Sequence, residues 1–217
     1  MALALFDLDN TLLAGDSDYL WGQFLIELGV VDSGTHEREN QRFYQDYKNG
    51  TLDIDAFLAF QLAPLTQHPR ATLDQWHRQF MAEKIEAIML DKSKQLIKQH
   101  RDAGDTLLII TATNRFVTAP IAKAFGIDTL IATESEEIEG EFSGNYQGTP
   151  CFREGKVTRL NEWLTKNHHD LNGSTFYSDS HNDLPLLQRV DHPVAVDADA
   201  ALTRHAQTHG WKIISLR

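Results

Sequence analysis

The chain is short of cysteine, of basic charge and of long apolar runs, and each shortage closes off a class of protein. A single cysteine, Cys151, among 217 residues excludes an internal disulfide. Its neighbours Pro150, Phe152 and Arg153 place no base beside it, so it reads as a small core residue and not a nucleophile. Lys and Arg number 20 against 31 Asp and Glu, a formal net charge of −11. That balance argues against a nucleic-acid partner, which needs clustered Lys and Arg, and against an anionic membrane surface. No apolar run approaches the roughly 18 residues of a membrane span. The N-terminus carries no basic stretch ahead of an apolar one, so no secretory signal is expected and a cytoplasmic location is. If the substrate of so acidic a chain is an anion, a local cation must offset the repulsion.

Apolar residues make up 41% of the chain, enough for a sizeable core. Short apolar runs at 3–6, 107–110, 130–132, 175–177, 194–196 and 212–215 alternate with helical patterns at 92–103, 116–125, 156–167 and 184–190. Two-sided apolar strands separated by helices predict an α/β fold: a doubly wound, Rossmann-like parallel sheet covered on both faces. Pro120 is placed to kink the second of those helices. Between the first two strands lie about a hundred residues where one crossover helix suffices. They read as helices at 19–28, 37–48, 54–62 and 73–89, separated by turn chemistry at 29–34, 49–50 and 64–69. The expected organisation is therefore a core of residues 1–14 and 90–217 with a helical cap, 15–89, inserted into it. A second interruption, "EEIEGEFSGNYQG" at 136–148, alternates around glycines and predicts a β-hairpin.

Open parallel sheets bind ligands beyond the carboxyl ends of their strands. Those positions hold polar residues here: Asp7 and Asp9 in "LALFDLDNTLLAGDS", Thr111 to Asn114 in "TATN", and Asp179, Asn182 and Asp183 in "SDSHNDLP", with Lys156 opening a helix in "REGK". Carboxylates gathered in one place repel one another and raise their own pKa values unless a divalent cation sits among them. Hard oxygen ligands with open positions suit Mg²⁺, and Mg²⁺ with a lysine attracts phosphate. Thr111 and backbone N–H groups at a helix start can hold the phosphate oxygens. Asp7 can then attack phosphorus to give an aspartyl-phosphate, while Asp9 protonates the leaving alkoxide and later activates water.

Four motifs together resemble those of the haloacid dehalogenase-like hydrolases, in the branch with a helical cap between the first two strands: "DLDNT" at 7–11, Thr111 after "LLII", Lys156 in "REGK", and "SDSHND" at 178–183. The resemblance implies Asp7 as nucleophile and Asp9 as general acid and base. It implies Mg²⁺ held by Asp7, the Asp9 backbone carbonyl and Asp179, with Asp183 in support. It also implies a phosphate held by Thr111 and Lys156, with Asn182 and the Ala112 backbone near it. Within that branch the chain is similar to phosphoserine phosphatases, and closer to their relatives that include histidinol-phosphatases. Phosphoserine phosphatases carry a cap glutamate for the substrate amine where this chain has Asp16, and an arginine for the substrate carboxylate where it has Gln61. A neutral amide cannot replace a bidentate guanidinium. An amino-alcohol phosphate such as histidinol phosphate is therefore expected, its amine meeting Asp16 or Asp18 and its ring covered by an aromatic, Trp21 foremost. Tyr19, Phe24, Phe57 and Phe60 read mostly as cap core, and His181 is a candidate substrate contact at the edge of the acidic motif. Other readings stay open. A phosphotransferase or mutase would use the same aspartyl-phosphate without releasing free phosphate, and a phosphoserine phosphatase remains an alternative. A signalling receiver module would need neither Asp9 nor so large a cap. A nucleotide-sugar transferase using the DxD pair would leave Thr111, Lys156 and Asp179 without roles.

Overall fold

A computed structural model of the chain describes residues 2–217. The run Leu3–Phe6 forms strand β1, and strand geometry sends its side chains alternately to two faces. Leu3 and Leu5 join Leu108, Ile110 and Phe176 on one face; Ala4 and Phe6 join Ile109 and Tyr177 on the other. Both faces are buried, which is why the strand reads as an unbroken apolar run. Six more strands complete the sheet: β2 (Thr106–Asn114), β3 (Thr129–Ile138), β4 (Glu141–Gln147), β5 (Thr175–Ser178), β6 (His192–Val196) and β7 (Lys212–Ile214). Their order is β4-β3-β2-β1-β5-β6-β7, parallel throughout except for the antiparallel β3–β4 pair. Strand order reverses at β1, so the crevice for a ligand opens at its carboxyl end.

Helices α1 (Ser17–Glu27), α2 (Ser33–Asn49), α3 (Ile54–Leu62) and α4 (Arg70–Phe80) lie between β1 and β2. Helix α5 (Asp91–Asp102) follows them and leads into β2, and α6 (Arg115–Ala124), α7 (Glu154–Asn167), α8 (Leu184–Leu187) and α9 (Ala200–His209) connect the remaining strands. Leu160 and Leu164 of α7, Leu186 and Leu187 of α8 and Leu202 of α9 cover the face of Leu3 and Leu5. Ile97 of α5 and Val117 and Ile121 of α6 cover the opposite face, and that core runs on into Trp21, Phe24, Leu58 and Phe80. The inserted helices thus share a core with the sheet. The chain leaves and returns at one place: Leu13 bridges Met89, and the Ala14 amide donates to the Ile88 carbonyl at 2.8 Å.

Several elements differ from the sequence reading. β2 runs on through the polar "TATN", with its register against β3 shifted between Ile110 and Asn114. β3 continues from the expected short strand into the first arm of the hairpin, and the chain turns at Glu139 and Gly140, both at positive φ as a two-residue hairpin turn requires. The helix expected over 73–89 begins at Arg70 and ends at Phe80; a π turn (Met81–Ile85) and a 3₁₀ turn (Glu86–Ile88) unwind it toward the bridge at Met89. α8 stops at Leu187, short of the expected 190, and is led by a 3₁₀ turn, His181–Asp183. α6 continues through Pro120. Cys151 is buried with its thiol pushed up to about 12 by burial, which makes it an inert core residue. Among the described residues no helix is long and apolar enough to cross a membrane.

Candidate active site

The Asp7 amide donates to the Tyr177 carbonyl at 2.9 Å, fixing the end of β1 against β5. The turn that follows, Leu8–Leu12, holds Asn10 at φ 57, a conformation Asn tolerates better than most residues. It folds Thr11 back onto Asp7. The Asp7 carboxylate is 5% exposed; Oδ1 accepts from Lys156 Nζ at 2.8 Å and Oδ2 from Thr11 Oγ1 at 3.3 Å. Lys156 also donates to Asp183 Oδ2 at 2.7 Å, and Ser178 Oγ donates to that same oxygen at 2.7 Å. Burial alone would lower the Lys156 pKa, but Asp183 and Asp7 more than offset it, so the ammonium stays charged. Burial pushes Asp7 up to about 7, with Lys156 pulling down and Asp183 and Asp9 pushing up.

Thr11 Oγ1 stands between two carboxylates, 3.3 Å from Asp7 Oδ2 and 3.1 Å from Asp179 Oδ1, and accepts from the Asp179 amide at 3.0 Å. A hydroxyl has one proton to give, so one of the two carboxylates faces a lone pair. Burial, and then the charges of Asp7 and Asp183, raise Asp179 well above the usual carboxylate range. Among the described residues no group of three His, Cys, Asp or Glu side chains is disposed to hold a metal ion. The pair Asp7 and Asp179 nonetheless fits an oxygen-seeking divalent cation that takes one or two carboxylates and fills its other positions with carbonyls and water.

Asp9 points the other way. Its Oδ1 accepts the Ser17 amide at 2.6 Å, and its Oδ2 the Thr113 hydroxyl at 2.9 Å with Thr111 Oγ1 at 3.5 Å. Burial, then the charge of Asp16, raises Asp9 to about 6. Asp16 caps α1 by accepting the Tyr19 amide at 2.9 Å, so both carboxylates sit at the positive end of that helix.

A cavity of about 50 Å³ opens over Asp7. Asp7, Asp9, Asp16 and Asp18 line it, with Thr111, Ala112 and Thr113 from the sheet edge. Tyr19, Phe43, Tyr44, Tyr47 and Phe57 wall it from the inserted helices, with Asn40 and Gln61 between them. No lysine or arginine is among its lining residues. Arg115 is held by Glu134, and Arg153 donates to Asn182 Oδ1 at 3.0 Å and to the Gly50 carbonyl.

The expected residues are thus brought together unevenly. Asp7, Asp9, Thr111, Ala112, Asp16, Asp18 and Gln61 reach the cavity. Lys156, Asp179 and Asp183 surround Asp7 without lining the cavity. Asn182 does not line it either: its Nδ2 donates to the Tyr47 carbonyl at 2.9 Å. His181 is turned onto Asp199, 2.8 Å from Nδ1. Trp21 corrects the sequence reading. It is 1% exposed and packs with Phe24, His77, Phe80 and Phe116, because its side of α1 faces the shared core, so it offers no face to a ligand. Sequence reasoning gave Thr11 and Thr113 no role of their own and missed the α2 wall. The wall had a signal: Asn40, Phe43, Tyr44 and Tyr47 follow i, i+3, i+4, i+7 spacing on one helix face.

Comparison with known proteins places these residues in a wider set. A family model described as haloacid dehalogenase-like hydrolase matches residues 4–188. The chain is 48% identical over 219 residues to a histidinol-phosphatase of Neisseria meningitidis serogroup C (strain 8013), covering 99% of each. It superimposes with a TM-score of 0.94 on a crystal structure from Bordetella pertussis Tohama I described as a protein of unknown function, at 43% identity over 100% of this chain and 99% of that one. A phosphoserine phosphatase solved as a phospho-aspartyl intermediate analogue shares the fold at a TM-score of 0.72 and 16% identity, over 100% of this chain and 93% of that one.

Proposed function

The chain belongs to the haloacid dehalogenase-like hydrolases, and from that premise we propose that it is a Mg²⁺-dependent phosphatase that cleaves histidinol phosphate through an aspartyl-phosphate on Asp7. The observation that carries the substrate is the cavity over Asp7: four aspartates, an aromatic wall, and no lysine or arginine. Phosphoserine would bring a carboxylate into that lining with no partner, at a cost of several kcal/mol. Histidinol phosphate lacks the carboxylate, brings an ammonium to the acidic lining, and presents an imidazole to the aromatic residues. The name of the Neisseria meningitidis relative, 48% identical over 99% of both chains, supports the same substrate.

Residues 15–89 act in this reading as a cap that selects the substrate, and residues 1–14 and 90–217 as the core that carries the chemistry. A carboxylate oxygen of Asp7 attacks phosphorus, the ester P–O bond breaks, and Asp9, as the carboxylic acid, gives its proton to the departing alkoxide. Asp9, now ionised, takes a proton from water as that water attacks the aspartyl-phosphate. The P–O bond to Asp7 breaks and inorganic phosphate leaves. A carboxyl near 6 suits both halves of this cycle close to neutral pH. Thr111 and Ala112 reach the phosphate from the cavity lining and Lys156 from beside Asp7; Asn182 Nδ2 gives one of its two N–H donors to the Tyr47 carbonyl and has the other for a phosphate oxygen. The carboxylates of Asp7 and Asp179 and the Asp9 carbonyl, with Asp183 in support, would hold Mg²⁺, whose positive charge would keep Asp7 ionised and neutralise the phosphate.

The test is a phosphate-release assay. Histidinol phosphate is expected to yield equal amounts of histidinol and free phosphate, with activity abolished by chelator and restored by Mg²⁺. Full activity in excess chelator would sink the metal assignment, and phosphoryl transfer to a second alcohol without phosphate release would make the protein a transferase.

A further inference from the structure

Resting on the phosphatase reading above, we propose that Asp18, and not Asp16, is the specificity residue that receives the substrate's ammonium. Two carboxylates of the cavity lining are candidates, and their surroundings divide them. Asp16 is already engaged: its Oδ1 accepts the Tyr19 amide at 2.9 Å, so its charge is spent on the N-terminus of α1. Asp18 lies inside the first turn of the same helix, lines the cavity, is 4% exposed, and its Oδ1 has no hydrogen-bond partner. An isolated buried carboxylate is expensive to keep unless something pairs with it. No lysine or arginine lines the cavity, so the cation that completes Asp18 must arrive with the ligand. Burial first, and then the neighbouring charges of Asp16 and Asp9, raise its pKa well above the usual range, the condition an arriving ammonium relieves. Tyr19, Phe43 and Tyr44 wall the same cavity.

The ligand class follows. It is a phosphomonoester with a primary ammonium on a carbon near the ester oxygen, close enough for one molecule to reach Asp7 with phosphorus and Asp18 with nitrogen. The neutral amide of Gln61, whose Nε2 lies 3.4 Å from Asn40 Oδ1, gives no ion pair to a carboxylate on that carbon.

The test uses two matched pairs, each an amine-bearing phosphate and its amine-free counterpart: histidinol phosphate with its deamino analogue, and phosphoethanolamine with ethyl phosphate. The readout is the ratio of kcat/KM within a pair, which a general loss of structure or of catalytic power does not move. Wild type is expected to favour the amine-bearing member of each pair by at least about tenfold. Asp18→Asn is expected to collapse that ratio to within about threefold of unity, and Asp16→Asn to leave it close to the wild-type value. Asp18→Ala repeats the measurement should the asparagine variant fail to fold, and melting curves establish folding for each. A ratio that survives in both Asp18 variants, or collapses in Asp16→Asn alone, overturns the assignment. So does a wild type without amine preference in either pair. Should the wild type spare histidinol phosphate yet keep its amine preference in the phosphoethanolamine pair, the substrate reading fails while Asp18 is still judged by its own ratio.

Discussion

Asp7 and Asp9 stand two positions apart and live in different surroundings, and that difference predicts different failures. Asp7 meets Lys156 and Thr11, whereas Asp9 meets the α1 amide of Ser17 and the hydroxyl of Thr113. Asp7→Asn removes the nucleophile, so kcat is expected to fall by roughly four orders of magnitude or more, with no phosphoenzyme formed. Asp9→Asn keeps the nucleophile but loses the proton carrier. With an aryl phosphate, whose leaving group needs no proton, it is expected to accumulate a covalent phosphoenzyme detectable by intact mass. A phosphoenzyme in Asp7→Asn would refute the assignment. Asp18 carries a second prediction, for stability. Its folded pKa is raised while the unfolded value is ordinary. Between those two values the folded chain holds a proton the unfolded chain has released, so stability falls as pH rises, and the penalty is complete above the folded value. Asp18→Asn is therefore expected to raise Tm of the ligand-free protein at pH 8, by about 2–4 °C for each kcal/mol relieved, and to raise it less at pH 5. An equal or lower Tm at pH 8 would mean that Asp18 is already paired in the free protein. Asp7 and Asp9 were legible as a pair because "DLDNT" follows an apolar strand. The unpaired state of Asp18 was not, since a capping Asp16 and an orphan Asp18 look alike in "AGDSDY".

At the scale of elements, α7 shows how backbone packing places a buried side chain beside Asp7. The Gly155 amide donates to the Phe152 carbonyl at 2.8 Å, and a Cβ at Gly155 would overlap the Pro150 carbonyl oxygen. Only glycine lets the start of α7 lie against that loop, and the next residue is Lys156. Gly155→Ala is expected to cost about 1–3 kcal/mol as the backbone shifts and to lower kcat/KM out of proportion to the fall in Tm, because the lysine moves off Asp7. Wild-type kinetics at an unchanged Tm would show that the turn accommodates a methyl group. Element positions were legible where a local pattern sufficed. β1 announced itself as four apolar residues, and the hairpin by alternation around glycines. What was illegible depended on tertiary partners. The length of β2 rests on pairing with β3 across a register shift, and the early end of α4 on the pairing of Leu13 with Met89. The placement of Trp21 depended on which side of α1 the shared core would claim.

For the molecule as a whole, the cavity over Asp7 is small and is walled by the inserted helices on one side and the sheet edge on the other. A volume of about 50 Å³ holds roughly three or four waters, far below the several hundred Å³ of an ordinary ligand site. Two contacts tie the inserted helices to the rim of that cavity: Asn182 Nδ2 meets the Tyr47 carbonyl, and Arg153 meets the Gly50 carbonyl at the end of α2. The polar residues around Asp7 were legible across the chain because most of them follow strand ends, a position the sheet itself defines. Substrate choice was less legible because the selecting residues come from several helices whose mutual packing the sequence does not spell out. That choice is the central claim, and the most direct measurement is kcat/KM for histidinol phosphate against phosphoserine on one preparation with Mg²⁺ present. A lining of four aspartates without lysine or arginine predicts histidinol phosphate ahead by at least about tenfold, some 1.4 kcal/mol in the transition state; phosphoserine turned over as well or better would contradict the account.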